Sequence, residues 1–281
     1  MRRILILPDI HAPLCDWRAL YPVLKYASDV KWDEVVQLGD LVDFNSVSGH
    51  NEGRPGLVEN DRVADELDAA SEVIDAIRDA VGKARGVVLK GNHEWRWDRF
   101  VEKHPVLEGL VNIADLLPAG WKLVECYPKG EVYRAGHLAF THGAYCNKHH
   151  AMTHADHYGC NIVYGHTHTV QNHTKVAYGK GKAYGAWSMG CLARLDMPYL
   201  EGRPTAWQHA FGEAFIHDDG TFNLYTTVVT NGGFTGLNGR CYGYRDIARK
   251  SGGKGSVGAM RRAKASTGPS PTASKQRRKS A

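Results

Sequence analysis

The stretch V-V-L-K-G-N-H-E-W-R, Val87–Arg96, joins two unlike textures. Val87, Val88 and Leu89 close an apolar, partly β-branched run of the kind that forms a buried strand. Gly91 interrupts it. Asn92, His93 and Glu94 follow at once, and from Glu94 to Lys103 the pattern turns helical. Polar, titratable side chains where a buried strand ends form either a plain turn or a place where chemistry is held. The neighbouring segments decide between the two.

The same transition recurs along the chain. Arg3–Pro8 reads as a short strand followed by Asp9-Ile10-His11, and Glu34–Leu38 as a strand followed by Gly39-Asp40-Leu41-Val42-Asp43. Arg85–Lys90 is the strand of the opening stretch. His137–Thr141 leads into His142-Gly143, and Asn161–Tyr164 into Gly165-His166-Thr167-His168. Between them lie helical patterns over Asp16–Ser28, Val58–Val81 and Ala151–His157; in the longest, Val63, Leu67, Ala70, Ile74, Ile77 and Val81 recur on one face. Strand and helix alternating over the first 165 residues predict an α/β layered fold, a central sheet covered by helices. Beyond residue 169 the segments Lys182–Trp187, Ala206–His217 and Thr221–Thr230 are short, aromatic or β-branched, and separated by turn residues. They predict a mostly β second half, with His217–Phe222 (H-D-D-G-T-F) as a hairpin corner.

In an open α/β sheet the strand ends lie side by side and ligands bind in the crevice there. The five polar clusters should therefore meet in space. Asp, His and Asn suit borderline metals. Asp9, His11, Asp40, Asn92, His142, His166 and His168 make seven candidates, more than one ion needs. The number suits two ions sharing a carboxylate, a known device for hydrolysing phosphate esters.

Bulk properties set the frame. With 281 residues, 43% hydrophobic and 23% charged, the chain is long enough for a proper core. The opening M-R-R-I-L-I-L-P-D breaks its apolar run too soon for a signal sequence or membrane span, so a soluble, cytoplasmic protein with no membrane partner is expected. Six scattered cysteines with no C-x-x-C point to free thiols. The net charge of +5 is unevenly placed: residues 247–281 hold ten Lys or Arg and no acid, which leaves 25 basic against 30 acidic residues in 1–246. A domain over 1–248 and a disordered basic tail over 249–281 are expected, the tail being rich in Gly, Ser, Pro and Ala. Such a tail is either a solubilising end or a weak, salt-dependent contact for nucleic acid.

The ordered pattern D-x-H, G-D-x-x-D, G-N-H-E, H and G-H-x-H, from Asp9 to His168, resembles the calcineurin-like metallophosphoesterases over roughly 60% of the chain. The resemblance implies a β-sandwich flanked by helices and a binuclear centre. Asp9, His11, Asp40 and His168 would hold one divalent metal. Asp40, Asn92, His142 and His166 would hold the other, with Asp40 bridging. Hydroxide activated by the two metals would attack the phosphate ester. His93 would face the substrate and protonate or stabilise the leaving oxygen, and Asp43 would orient His93. Glu94 then reads as a first-turn helix residue, where negative charge is favourable.

One departure is visible. The protein Ser/Thr phosphatase branch carries an Arg after G-D-x-x-D, where this chain has Phe44. A phosphoprotein substrate is correspondingly disfavoured. The loop Asn45–Gly56 brings His50 and Arg54, which overhang the site as substrate contacts or belong to a plain surface connection. His150, His154 and His157 share a helix face; His150 is a candidate substrate contact, and a separate zinc site or a solvated face are the alternatives. The expected substrate is a nucleic-acid or nucleotide phosphodiester, with a small phosphomonoester as the alternative. The ligand pattern leaves manganese, iron, zinc and nickel open. A non-catalytic binding module on the same fold would be expected to have lost some of these residues, and a protein acting through its basic tail alone would need none of them; all are present.

Overall fold

The structure, a computed structural model, describes residues 1–176 and 183–244. The predicted tail, and with it the boundary at residue 249, lies outside the described residues.

Each strand of the first half is buried on both faces because alternate side chains serve different layers. In β1 (Arg2–Leu7), Leu5 and Leu7 join the core beneath the helices, while Ile4 and Ile6 point the other way. β2 (Glu34–Gln37) divides Val35 and Val36 in the same manner, and β3 (Arg85–Leu89) sets Val88 against Val87 and Leu89. The helical side of this layer is covered by α1 (Trp17–Asp29) and α2 (Val63–Val81). Asp16 caps α1 by accepting from the Arg18 amide at 2.8 Å. α2 begins five residues later than the periodicity from Val58 predicts. Its predicted first turn is spent on loop contacts: the Asp61 carboxylate accepts from the Asn45 side chain at 2.6 Å.

After α3 (Glu94–Lys103) and the short β4 (Lys122–Val124), the chain starts a second layer with β5 (Tyr133–Ala135) and β6 (Leu138–Thr141). α4 (His150–Tyr158), β7 (Asn161–Tyr164), β8 (Val170–Lys175) and β9 (Tyr184–Met189) complete it. β10 (Ala210–Ile216) and β11 (Phe222–Val228) return to the first sheet as an antiparallel hairpin through the predicted corner, with Ile216 opposite Phe222. β12 (Gly233–Thr235) and β13 (Cys241–Gly243) form a ribbon whose Phe234 and Tyr242 pack on Tyr26 of α1.

One sheet runs β11-β10-β1-β2-β3-β4 and the other β5-β6-β7-β9-β8. Their inner faces share a core in which Ile4, Ile6, Val36 and Leu89 meet Leu138, Phe140, Val163 and Met189. α4 covers the outer face of the second sheet through Ala155 against Ala139, Ile162 and Tyr164. The result is a β-sandwich flanked by helices. Alternation alone suggested one central sheet; it does not reveal which strands pair, and the short β4 and β5 left no clear pattern. β1, β2 and β3 are parallel to one another, as are β6, β7 and β9, so each group ends at one edge of its sheet. All six cysteines are unpaired. Among the described residues no helix is long and apolar enough to cross a membrane.

Candidate metal centre

The loops leaving β1, β2, β3, β6 and β7 meet at that edge. Asp9, His11, Asp40 and His168 bring one ligand atom each within 4.8 Å of one another, as do Asp40, His142 and His166, so Asp40 belongs to both groups. Asn92 joins the second group: its Oδ1 lies 2.8 Å from His142 Nε2 and 2.7 Å from His166 Nδ1. All seven residues expected at the metals are thus gathered in one place. A third group, His11, Asp43 and His93, lies beside the first.

The backbone is bent to achieve this. Asp9, His11, Asp40, His166 and His168 all have φ between 27° and 67°, in the left-handed region that costs ordinary residues about 1–3 kcal/mol each. They are five of the eight non-glycine residues with positive φ among the described residues. The glycines of the motifs answer a second demand, close approach. A Cβ on Gly91 would lie 2.2 Å from Asp40 Oδ1, and one on Gly165 would lie 2.1 Å from Asp9 Oδ2. Gly39 combines both reasons, with φ of +99° and the His142 ring packed against it.

The donor set fits cations. His11 and His168 face each other Nε2 to Nε2 at 3.0 Å, although His11 already gives its Nδ1 proton to Asp43 at 2.8 Å. His142 donates from Nδ1 to the Leu38 carbonyl, which aims its Nε2 at Asn92 and at Asp40 Oδ2, 3.2 Å away. Asp9 Oδ2 is buried with no hydrogen-bond partner. In the chain alone, burial pushes Asp9 up to about 7; His142 opposes this and the Asp40 charge adds to it. Burial also pulls His11 down to about 4 and His166 and His168 to about 3. Crowded carboxylates, neutral imidazoles and a lone carboxylate oxygen aimed at common space are what divalent cations satisfy.

The calcineurin-like phosphoesterase family model matches residues 2–171, from β1 through the last of these ligand-type residues into β8. The chain belongs to the calcineurin-like phosphoesterase family. It is 25% identical over 258 residues to the Gene 54 protein of Mycobacterium phage L5, covering 86% of this chain and 98% of that protein. It is 26% identical over 230 residues to the Gene 54 protein of Mycobacterium phage D29, covering 75% and 88%. Among solved structures it is similar to Vps29 of Chaetomium thermophilum, with a TM-score of 0.45, 13% identity and coverage of 86% and 90%. A Vps29 variant from Entamoeba histolytica is similar at a TM-score of 0.43, with 15% identity and coverage of 82% and 94%.

Around the ligand set, this calcineurin-like phosphoesterase shows contacts that sequence reasoning missed. His93 Nδ1 donates to the Asp43 backbone carbonyl at 2.8 Å and lies 3.0 Å from Asp43 Oδ1, which accepts from His11 at 2.8 Å, so Asp43 fixes two imidazoles at once. Burial lowers His93 and the carboxylates of Asp40 and Asp43 more than offset it, holding the ring above its ordinary value. Glu94 is far more than a first-turn charge. It is 1% exposed and accepts from the amides of Gly91 at 2.8 Å, Asp40 at 3.1 Å and Val42 at 2.9 Å, tying the β2 and β3 exits together. Arg96 donates from Nη2 to His93 Nε2 at 2.9 Å and from Nη1 to the Asp43 carbonyl at 2.9 Å. Its spacing of three from His93 at the start of a helix was the available signal, since such residues are neighbours. Trp207 packs on His168 with ring centroids 4.1 Å apart, a contact no local pattern announces.

The outer candidates divide. His50 and Arg54 line a cavity of about 450 Å³ together with Arg96. His150 does not act as a substrate contact here. It is 5% exposed, with Nδ1 2.6 Å from the Tyr164 hydroxyl and Nε2 2.8 Å from Thr169 Oγ1, so neither ring nitrogen is left for a ligand. His154 is likewise consumed, donating to the His150 carbonyl and accepting from the Ala144 amide at 3.1 Å. Among the described residues neither belongs to a metal-capable group. Phe44 is fully buried, with φ of 48°, and stacks on Trp97, so it supports the site from beneath.

Proposed function

We propose that the chain is a two-metal phosphodiesterase acting on nucleotide or nucleic-acid esters. The observation that carries the reading is the pair of donor groups sharing Asp40, with His93 set beside them. Asp9, His11, Asp40 and His168 would hold one divalent cation; Asp40, Asn92, His142 and His166 would hold the other. Cations bound there supply Lewis acidity toward a phosphoryl oxygen and lower the pKa of water.

The chain's own residues supply the rest. Water gives up a proton to solvent as its oxygen bonds to phosphorus, the ester P–O bond breaks, and the departing oxygen leaves with the bonding pair and takes up a proton. His93 Nε2 is 3.8 Å from Asp40 Oδ2, at the border of the ligand set, and Asp43 holds the opposite ring nitrogen. An imidazole fixed in this way is placed to deliver that proton. Arg96 can only donate, so in the described arrangement it occupies the Nε2 lone pair. A phosphoryl oxygen that draws Arg96 away frees Nε2 to carry the proton. The basic stretch 247–281 favours a polyanionic ester, to which its ten Lys and Arg add salt-dependent attraction.

The test is hydrolysis of p-nitrophenyl phosphate and bis-p-nitrophenyl phosphate side by side, after chelation and re-addition of manganese. Metal-dependent turnover with preference for the diester is expected. Preference for the monoester would replace the reading with a small-molecule phosphomonoesterase. In the same assay His93→Ala should keep its metal and lose about 10²–10⁴ in turnover; loss of metal instead would make His93 a ligand.

A further inference from the structure

We infer that the arginine-lined cavity beside His93 is a subsite for a second phosphate, carried by the leaving group. The substrate is then a phosphodiester whose departing alcohol is itself phosphorylated, as in a nucleic-acid strand. The inference rests on the phosphodiesterase reading and narrows it.

Position comes first. The cavity, about 450 Å³, falls within the range of ligand sites and is lined by His50, Arg54, Arg96, Tyr199, Glu201 and Arg203 among others. Arg96 joins it to the reaction: one amino group of its guanidinium touches His93 Nε2, and the side chain also forms part of the cavity wall. His93 faces the departing oxygen in the proposed reaction. What lies beyond Arg96 is therefore the leaving group, on the side away from the attacking water.

Charge comes second. Glu201 is the single carboxylate in the lining, and it is engaged by Arg54, with Nη2 2.6 Å from Oε1. Arg203 remains without a paired carboxylate in the wall, and Arg96 has only Asp43 Oδ2, 3.9 Å away and outside the lining. Arg203 is pre-set by its backbone: Nε donates to the Leu200 carbonyl at 3.0 Å and Nη2 to the Tyr199 carbonyl at 3.1 Å. Its Nη1 has no partner among the described residues. Guanidinium forks recognise phosphate geometrically as well as by charge. This excess of positive charge sits on a body whose residues 1–246 carry 25 basic against 30 acidic groups.

Aromatic surface connects the two places. Trp207 packs on His168 and lies 6.4 Å from the Tyr199 ring in the cavity wall. A sugar and base passing from the metal centre to the cavity would travel along it, and base–aromatic stacking tolerates every base.

The experiment uses the full chain loaded with manganese and three thymidine dinucleotides: TpT, pTpT and TpTp. Product analysis identifies which nucleoside departs. The terminal phosphate on the departing nucleoside should raise kcat/KM about tenfold or more over TpT, the worth of one charge-assisted pair; the phosphate on the other side should not. Arg203→Ala and Arg54→Ala, each confirmed as folded by an unchanged melting curve, should lower that ratio toward one, and Arg203→Lys should retain part of it. A ratio of one in the wild-type chain, a gain tied to the nucleoside that stays, or a ratio that survives both alanine variants would overturn the subsite. If the chain cleaves bis-p-nitrophenyl phosphate but shows no gain, the subsite fails and the phosphodiesterase reading stands. If it cleaves no diester, that reading fails as well.

Discussion

Asn92 and His93 are adjacent in the chain, yet their side chains serve different spaces. Asn92 faces His142 and His166, and His93 faces Asp43 and Arg96. The split follows from their place at a strand exit, where successive side chains diverge before the helix begins. The glycines nearby act at the same scale, and the contact they permit can be tested. Gly165 has no unusual φ, so a methyl group there would be opposed by the Asp9 carboxylate, its Oδ2 at 2.1 Å and its Cγ at 3.0 Å. Gly165→Ala should lower metal affinity by about 10–100-fold, the range seen when support of a ligand is disturbed. Gly56→Ala, with open space around its Cβ, serves as the control. Metal content after dialysis measures both; equal retention would show that Asp9 does not need its position.

At the scale of elements, the site depends on loops that must keep their mutual distance. Glu94, at the head of α3, supplies much of that restraint by accepting from three amides on two loops. Removing it leaves buried donors without a partner, at about 1–3 kcal/mol for each such group. Glu94→Ala should therefore lower unfolding stability by several kcal/mol, and should weaken metal binding because Asp40 N is one of those donors. Denaturant unfolding with and without metal checks this. A variant that unfolds like the wild-type chain would show that α3 is held by its other contacts. On the other side of the site, Glu66 of α2 accepts from the Asn45 amide at 2.6 Å and from the Ser46 hydroxyl, anchoring the loop that carries His50 and Arg54. That anchoring holds the loop where His50 and Arg54 line the cavity.

At the scale of the whole molecule, the sandwich buries histidines that have no part in the site, and this sets a pH dependence. Burial pulls His154 from 6.5 down to about 4. Its folded pKa lies below its unfolded one, so its contribution to stability is full above about pH 6.5 and is lost as pH falls toward 4. The loss is at most about 3 kcal/mol. His154→Gln should be less stable than the wild-type chain at pH 7.5 and should close that gap by pH 4.5. Parallel pH profiles for the two proteins, with metal chelated, would show that the His154 proton is not what changes.

Much of the site was legible because it is written at strand ends. Apolar runs that give way to Asp, Asn or His, three of them after a Gly, mark a buried strand meeting a polar task, and five such runs in order suggested one convergent crevice. The first sheet's β1, β2 and β3, all four helices and the corner at His217–Phe222 were likewise visible as periodicity and turn chemistry. Contacts formed between elements were not. Glu94 carries the same local signature whether it caps a helix turn or ties two loops. His150 carries the same signature whether it lines a cleft or bonds Tyr164 and Thr169. The start of α2 was misplaced because periodicity continues through residues that tertiary contacts draw elsewhere.

The chain's own order of residues thus determined the strand-and-helix alternation, the ligand types and their place at the strand exits, since these depend on local backbone preference and side-chain chemistry. The pairing of strands into two sheets, the sharing of Asp40, the grip of Arg96 on His93 and the arginine-lined cavity were decided only by tertiary structure. Each of these depends on distances between residues far apart in the chain, and those distances are set by how the layers pack.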